Sequence, residues 1–385
     1  MQYRGAMLNL NSHVDYRRPL SSTDAGMLSV EAPREAARVL DIWPLARPTP
    51  LLALPALARA LGVHSLHVKD ESHRLGLGSF KALGGSYAVI RLVLEEAARR
   101  LGRDVGLGEI RAPEVRAVAA SMTVACATDG NHGCAVAAGA RFVGATARIF
   151  VHSGVSAQRV AAITRHGAAV VEVPGSYDDA VAEAARVCAR QDWLLVSDTS
   201  WPGYERIPGL IMQGYTVLVH EALRTMEQPP THVFVQAGVG GLAAAIAGHL
   251  LVLFGDRRPT LIVVEPDRAA CVFASQRAGR LVMIDRGEAT VMAMLECYTP
   301  SLVAWRILSR AADAFMTITD EDAVTAMKVL ARPDAGDPLI VARASGSAGL
   351  AGLLRAAADP VQRDALALNA DSRVFVVNTE GAAQE

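Results

Sequence analysis

The amino-acid sequence predicts an α/β protein built from open, twisted, mostly parallel sheets. Three observations lead there. From about residue 117 onward, apolar runs of four to six residues alternate with segments of helical period. These runs are rich in valine, which suits strands buried on both faces of a parallel sheet. Glycines such as Gly167 and Gly175 stand where a helix must stop or a strand must turn. Strand–helix alternation throughout means a parallel, open architecture. At 385 residues the chain suggests two domains, or one large interrupted domain. The block 118–200 is expected to be a smaller inserted α/β domain, with 1–117 and 201–385 forming the larger one. The cleft between two such units is where ligands usually bind.

In chain order, residues 1–45 read as irregular apart from a helical piece near 31–42. Pro48-Thr49-Pro50-Leu51 leads into a short helix at 56–61, and a strand follows at 65–68. A polar loop containing glycine comes next, then an apolar-periodic helix from near 79 to about 101. Residues 102–115, rich in Gly, Pro and charge, read as a loop or short helix. The strictly alternating part runs strand 124–127, helix 133–142, strand 147–151, helix 157–166, strand 169–173, helix 177–190, strand 194–197. After a loop containing Trp201-Pro202-Gly203-Tyr204 come helix 207–226, strand 232–236, a glycine turn, helix 242–253 and strand 260–265. Residues 278–300 read as irregular, and helices at 302–312, 320–330 and 347–358 precede a last strand at 374–378.

Composition removes several function classes. The net charge is -1, no basic block occurs and aromatics are 5%, which argues against a nucleic-acid partner. The five cysteines are scattered with no CxxC pair, as expected of a reduced, cytoplasmic protein. Residues 1–19 are polar with arginines and do not read as a signal peptide. The apolar stretch 237–255 nearly reaches the length of a membrane span. It opens with a glycine turn, contains His249 and directly follows a strand, so a buried helix is expected and no membrane partner. His64 and His67 have no acid or cysteine cluster beside them, and no metal is expected.

Four stretches carry chemistry. Lys81 falls in the first turn of its helix, where the dipole disfavours a cation. A lysine that forms an imine gains from such a place, because the neutral amine reacts. A solvated helix-start lysine is the alternative. Gly238-Val239-Gly240-Gly241-Leu242 joins a strand to a helix, so converging N–H groups and the helix start make an anion nest suited to phosphate. A dinucleotide site is the rival, but the Gly-x-Gly-x-x-Gly spacing is absent. A plain structural turn also remains open. Thr128-Asp129-Gly130-Asn131-His132 lies at a strand end and opens a helix. Asn131 can hydrogen-bond an oxygen of a group bound in the crevice, and His132 either acts in catalysis or simply orders the turn. Asp198 follows another strand and can point into the same cleft, although an N-cap is the plain reading. Two carboxylates near one substrate can divide acid and base work.

Lys69-Asp70-Glu71-Ser72 and Ser79-Phe80-Lys81-Ala82-Leu83-Gly84-Gly85 resemble the lysine motif of the fold-type II pyridoxal-phosphate enzymes, the tryptophan synthase β-like and threonine dehydratase-like group. Gly238–Leu242 resembles their phosphate loop, and Val264-Glu265-Pro266 and Asn378-Thr379-Glu380-Gly381 also match. Two stretches resemble one branch, the diaminopropionate ammonia-lyase family. These are Asp129 before Gly130-Asn131-His132, and Asp198-Thr199-Ser200-Trp201 with Ile207-Pro208 and Met212-Gln213-Gly214-Tyr215. The resemblance spans roughly 45–381.

It implies pyridoxal 5'-phosphate held by Lys81 as an internal aldimine in the larger domain, with Thr379 meeting the pyridine nitrogen. It implies α,β-elimination of ammonia from D- or L-2,3-diaminopropionate, giving pyruvate. Lys81 or Asp129 would take the α-proton, and Asp198 would bind the β-amino group or serve the opposite enantiomer. A homodimer is also implied. There are departures. Met294, Glu296, Tyr298 and Thr299 lie where that family has Met-Ala-Gly-Leu-x-Cys-Gly-Glu-Pro, with Gly, any residue, Gly and Glu at those four places. Ala344 replaces an acid. These are expected to reshape or recharge the pocket. They keep two alternatives open: an eliminase or dehydratase for another β-substituted amino acid, or a cofactor-binding protein without activity.

Overall fold

Apolar residues on both faces of each central strand dictate a three-layer arrangement, and the computed structural model, which describes residues 5–382, has it. Eleven strands are found among the described residues: β1 (Leu8–Leu10), β2 (Leu51–Ala53), β3 (Ser65–Asp70), β4 (Thr123–Ala127), β5 (Thr146–His152), β6 (Ala169–Val173), β7 (Leu194–Leu195), β8 (His232–Gln236), β9 (Thr260–Pro266), β10 (Ala314–Ile318) and β11 (Arg373–Asn378). The larger sheet has the order β1-β10-β9-β8-β11-β3-β2, and the smaller one β6-β5-β4-β7. Only β1 and β2, at the two edges, run antiparallel.

The strand faces separate cleanly. Val233, Val235, Val263, Phe375 and Val377 enter one core, and Phe234, Ile262, Val264, Val374 and Val376 enter the other. In the smaller sheet, Val124 and Cys126 join the first core while Ala125 and Ala127 face a third cluster with Phe150 and Val173. Period-two burial on both faces is what the valine-rich runs encode. The apolar stretch after β8 forms the helix Gly241–Phe254, largely buried. Among the described residues no helix is long and apolar enough to cross a membrane.

Several expectations need correction. The N-terminal region is not irregular beyond one helix: it also supplies β1 and a short helix, Ser22–Met27. The part of the 1–19 reading that concerns residues 1–4 lies outside the described residues. The sequence reading missed β10, although all five of its residues are buried. Its run Ala314-Phe315-Met316-Thr317-Ile318 is too short to distinguish from a helix tail by period alone. Of the two readings of 102–115, loop or short helix, a helix does form at its end, Pro113–Ala120, begun by a proline at its first position. The Cys271–Ala278 and Pro360–Ala365 helices were also not expected.

Helix Lys81–Leu101 lies between the two sheets. It packs on Asn131–Val143 of the smaller unit and on Arg206–Thr225 of the larger.

Candidate active site

In an open parallel sheet, side chains that follow strand carboxyl ends meet at one edge. Here the segments after β3, β4, β7, β8 and β11 do so, and they line one cavity with about 760 Å³ of empty space including its open mouth. All ten residues singled out from the sequence line it: Lys81, Asp129, Asn131, Asp198, Gly238, Val239, Gly240, Gly241, Leu242 and Thr379.

Lys81 is the first residue of its helix and arrives on a braced loop. Lys69 on β3 is buried and donates to the Thr49 carbonyl and to Glu221, both at 2.6 Å. Arg74 donates to Glu71 at 2.8 Å and to Glu221 at 2.6 Å, which ties the turn after β3 to helix Arg206–Thr225. Lys81 Nζ contacts Asp198 Oδ2 directly. Burial works to lower the lysine pKa, but the Asp198 carboxylate more than offsets it and holds the ammonium well above its ordinary value. The helix-start argument points the other way. Tertiary contact across 117 positions outweighs the dipole here.

Asp198 is buried. Burial works to raise its pKa, and His132 and Lys81 pull it down, leaving it at about 2. The His132 Nε2–H donates to the Val196 carbonyl at 2.7 Å, which leaves Nδ1 3.9 Å from Asp198 Oδ2. Burial lowers the His132 pKa, so Lys81 is the counter-charge that matters at neutral pH. His132 therefore orders its turn and also faces the acid.

Asn131 opens the helix Asn131–Val143 behind Gly130, whose φ of 150° suits glycine. Its Nδ2 donates to Glu380 Oε2 at 2.6 Å, a partner the sequence reading did not anticipate. Asp129 Oδ1 lies 3.0 Å from His152 Nε2.

The glycine loop ends at Gly240, with φ of 95°, where helix Gly241–Phe254 starts. No side chain caps that helix and no acid stands in its first turn, so its first N–H groups remain for an anion. A Cβ on Gly238 would stand 3.1 Å from Cys297 Sγ. Val239 is fixed by its carbonyl, which accepts from Ser301 N–H at 2.9 Å. Across the cavity, Gln236 Nε2 meets three backbone carbonyls and Thr379 Oγ1 at 3.0 Å. Nε2 has no lone pair to offer, so the Thr379 proton is free to point elsewhere.

Of the four positions named in 294–299, only Met294 lines the cavity. Tyr298 donates to Glu296 Oε1 at 2.7 Å and Glu296 Oε2 accepts from Thr290 N–H at 3.2 Å. That pair holds its own loop together and leaves Met294 as the residue that reshapes the site. Gln236, Tyr177 and Cys297 also line the cavity, and the sequence reading gave them no role. Their positions at or beside strand and helix ends were the available signal.

The donor set suits one flat, anionic, carbonyl-bearing group: an amine, an uncapped helix start and a hydroxyl on the walls of one cavity. The family model described as pyridoxal-phosphate dependent enzyme matches residues 42–380. Diaminopropionate ammonia-lyase of Escherichia coli (strain K12) is 40% identical over 342 residues, covering 87% of this chain and 84% of that protein. A crystal structure of diaminopropionate ammonia lyase from Escherichia coli in complex with aminoacrylate-PLP azomethine reaction intermediate superposes with a TM-score of 0.88. It is 35% identical and covers 100% of this chain and 96% of that one. The structure of maize serine racemase shares the fold at a TM-score of 0.72 and 19% identity, over 93% of this chain and 94% of that one.

Proposed function

Given that this chain belongs to the pyridoxal-phosphate dependent enzymes, and within them to the diaminopropionate ammonia-lyase family, we propose that its cavity eliminates ammonia from 2,3-diaminopropionate. The protein is a carbon–nitrogen lyase of fold type II with pyridoxal 5'-phosphate as cofactor, and its products are pyruvate and ammonia. One observation carries the reading. The 40% identity coincides with a cavity on which lysine, glycine loop, threonine hydroxyl and two aspartates meet.

When bound, the cofactor supplies an electron sink that acidifies the substrate Cα–H. Lys81 would hold its carbonyl carbon, Gly238–Leu242 its phosphate, Thr379 its ring nitrogen and Asn131 its ring oxygen. Asp129 takes the α-proton from one face of the substrate and Lys81 from the other. Asp198, ionised and buried, binds the β-ammonium group or serves as base for the opposite enantiomer. The Cα–H electrons form the Cα=Cβ double bond as the Cβ–N bond breaks, and the β-ammonium group leaves as ammonia. Water then hydrolyses the enamine to pyruvate and a second ammonia. We also assign 118–200 to a smaller domain, 1–117 with 201–385 to the cofactor domain, and the active protein to a cytoplasmic homodimer.

Met294, standing in the cavity wall, favours one second reading: elimination from another β-substituted amino acid. Pyruvate release from D- and L-2,3-diaminopropionate, beside serine, threonine and 3-hydroxyaspartate, separates the two. The expected outcome is fastest turnover of a diaminopropionate enantiomer. A hydroxy amino acid turned over faster than both would overturn the substrate. Lys81→Ala is expected to lose the visible absorbance of bound cofactor and about a thousandfold or more of kcat. Retained absorbance would remove Lys81 from its role.

A further inference from the structure

Residues beyond the ends of paired parallel strands stay opposite one another as long as the register holds. Ala127 of β4 pairs with Phe150 of β5. Both side chains face the third core cluster. Two residues further along each strand, on the same face, stand Asp129 and His152. His152 Nε2 lies 3.0 Å from Asp129 Oδ1, although the ring is turned off the hydrogen-bond direction and Oδ1 has no other donor among the described residues. Catalytic hydrogen bonds often align only when a site is filled.

We propose that His152 is a positioning residue for the reaction: its Nε2–H holds one oxygen of Asp129 and leaves the other oxygen to face the substrate. This rests on the reading of Asp129 as a base. His152 does not line the cavity itself, whereas Asp129 does. The tautomer follows from the far side of the ring. Gly154 N–H donates to His152 Nδ1 at 3.0 Å, so the proton of the neutral ring sits on Nε2, toward Asp129. A Cβ on Gly154 would lie 2.7 Å from the ring, so glycine allows this approach.

The neighbouring charges do not replace the donor. Tyr177 and Asp178, at the start of the helix Tyr177–Gln191, and Cys297 feel the Asp129 charge but offer it no hydrogen bond. The neighbouring Asp129 raises the His152 pKa most, and Arg286 and Glu296 act on it in opposite directions. Asp198 has its own cation in Lys81. The two carboxylates thus have separate partners, and a change at His152 acts on one of them.

The test is enantiomer-resolved kinetics on holoenzyme. His152→Phe removes the donor, His152→Asn is polar but too short, and His152→Gln keeps a donor near Nε2. For the enantiomer whose turnover Asp129→Asn abolishes, His152→Phe and His152→Asn are expected to lower kcat/KM at least tenfold at neutral pH. The loss should fall on kcat rather than KM, because the carboxylate loses its orientation toward the α-proton while substrate binding is untouched. His152→Gln should restore most of the rate. The other enantiomer should stay within about twofold, and cofactor absorbance should be unchanged. Equal losses for both enantiomers, or losses that fall on KM alone, would overturn the proposal, as would unaltered kinetics in both variants. If Asp129→Asn spares both enantiomers, the reading of Asp129 itself fails, independently of His152.

Discussion

At the scale of single residues, the pairing of Lys81 with Asp198 sets the electrostatics of the site. A half-buried ammonium against a buried carboxylate keeps both groups charged, each lowering the other's cost of burial. Capture of an aldehyde needs the neutral amine, so the pair opposes it until the lysine proton leaves. Asp198→Asn removes the counter-charge and leaves burial to depress the lysine pKa. The rate at which apo protein develops visible absorbance with added pyridoxal phosphate is then expected to reach its midpoint at a pH lower by about one unit or more. An unmoved midpoint would mean that the pair does not hold the lysine proton. Lys81 and Asp198 were both legible as strand- and helix-end residues. Their contact was not, because 117 positions separate them and no local pattern records it.

At the scale of elements, Glu265 ends β9 and accepts from the N–H groups of Val272 at 2.8 Å and Phe273 at 2.6 Å, in the first turn of Cys271–Ala278. It is fully buried, with no cation beside it among the described residues. Burial raises its pKa to about 8 despite those two donors. The folded-state pKa is thus above the unfolded value of about 4.3. Stability from this group is fully present below that value and is lost as pH rises through about 8. Thermal melts from pH 5 to 9 should show wild type losing Tm relative to Glu265→Gln as pH increases. Parallel curves would mean that Glu265 ionises freely in the fold. The Val-Glu-Pro motif at its strand end was legible in the sequence. The helix it caps was not, since Cys271–Ala278 is short and mostly buried and so lacks a polar face to give it a period.

At the scale of the whole molecule, helix Lys81–Leu101 ties the two sheets and starts with Lys81. Its approach to Arg206–Thr225 depends on glycine. A Cβ on Gly214 would meet the Leu83 carbonyl and stand 2.9 Å from the Gly84 Cα, both backbone atoms that cannot rotate away. Gly214→Ala is expected to cost about 1–3 kcal/mol of stability by overpacking. It should also weaken cofactor retention, because pushing the helices apart shifts Lys81 against Asp198. A denaturant titration with a parallel absorbance measurement checks both. Unchanged stability would mean the helices yield without strain.

Local sequence specifies the layer architecture, the parallel order within each βα block, and the residues that end the central strands. Each of these follows from periodicity or from chemistry that a few adjacent residues carry. The tertiary structure alone decided which ends face each other. β11, last in the chain, lies between β8 and β3, and this brings Thr379 beside the glycine loop and the lysine loop. The β4–β5 register sets His152 behind Asp129. Strand order and register come from packing across the whole chain, and a linear pattern holds no record of either.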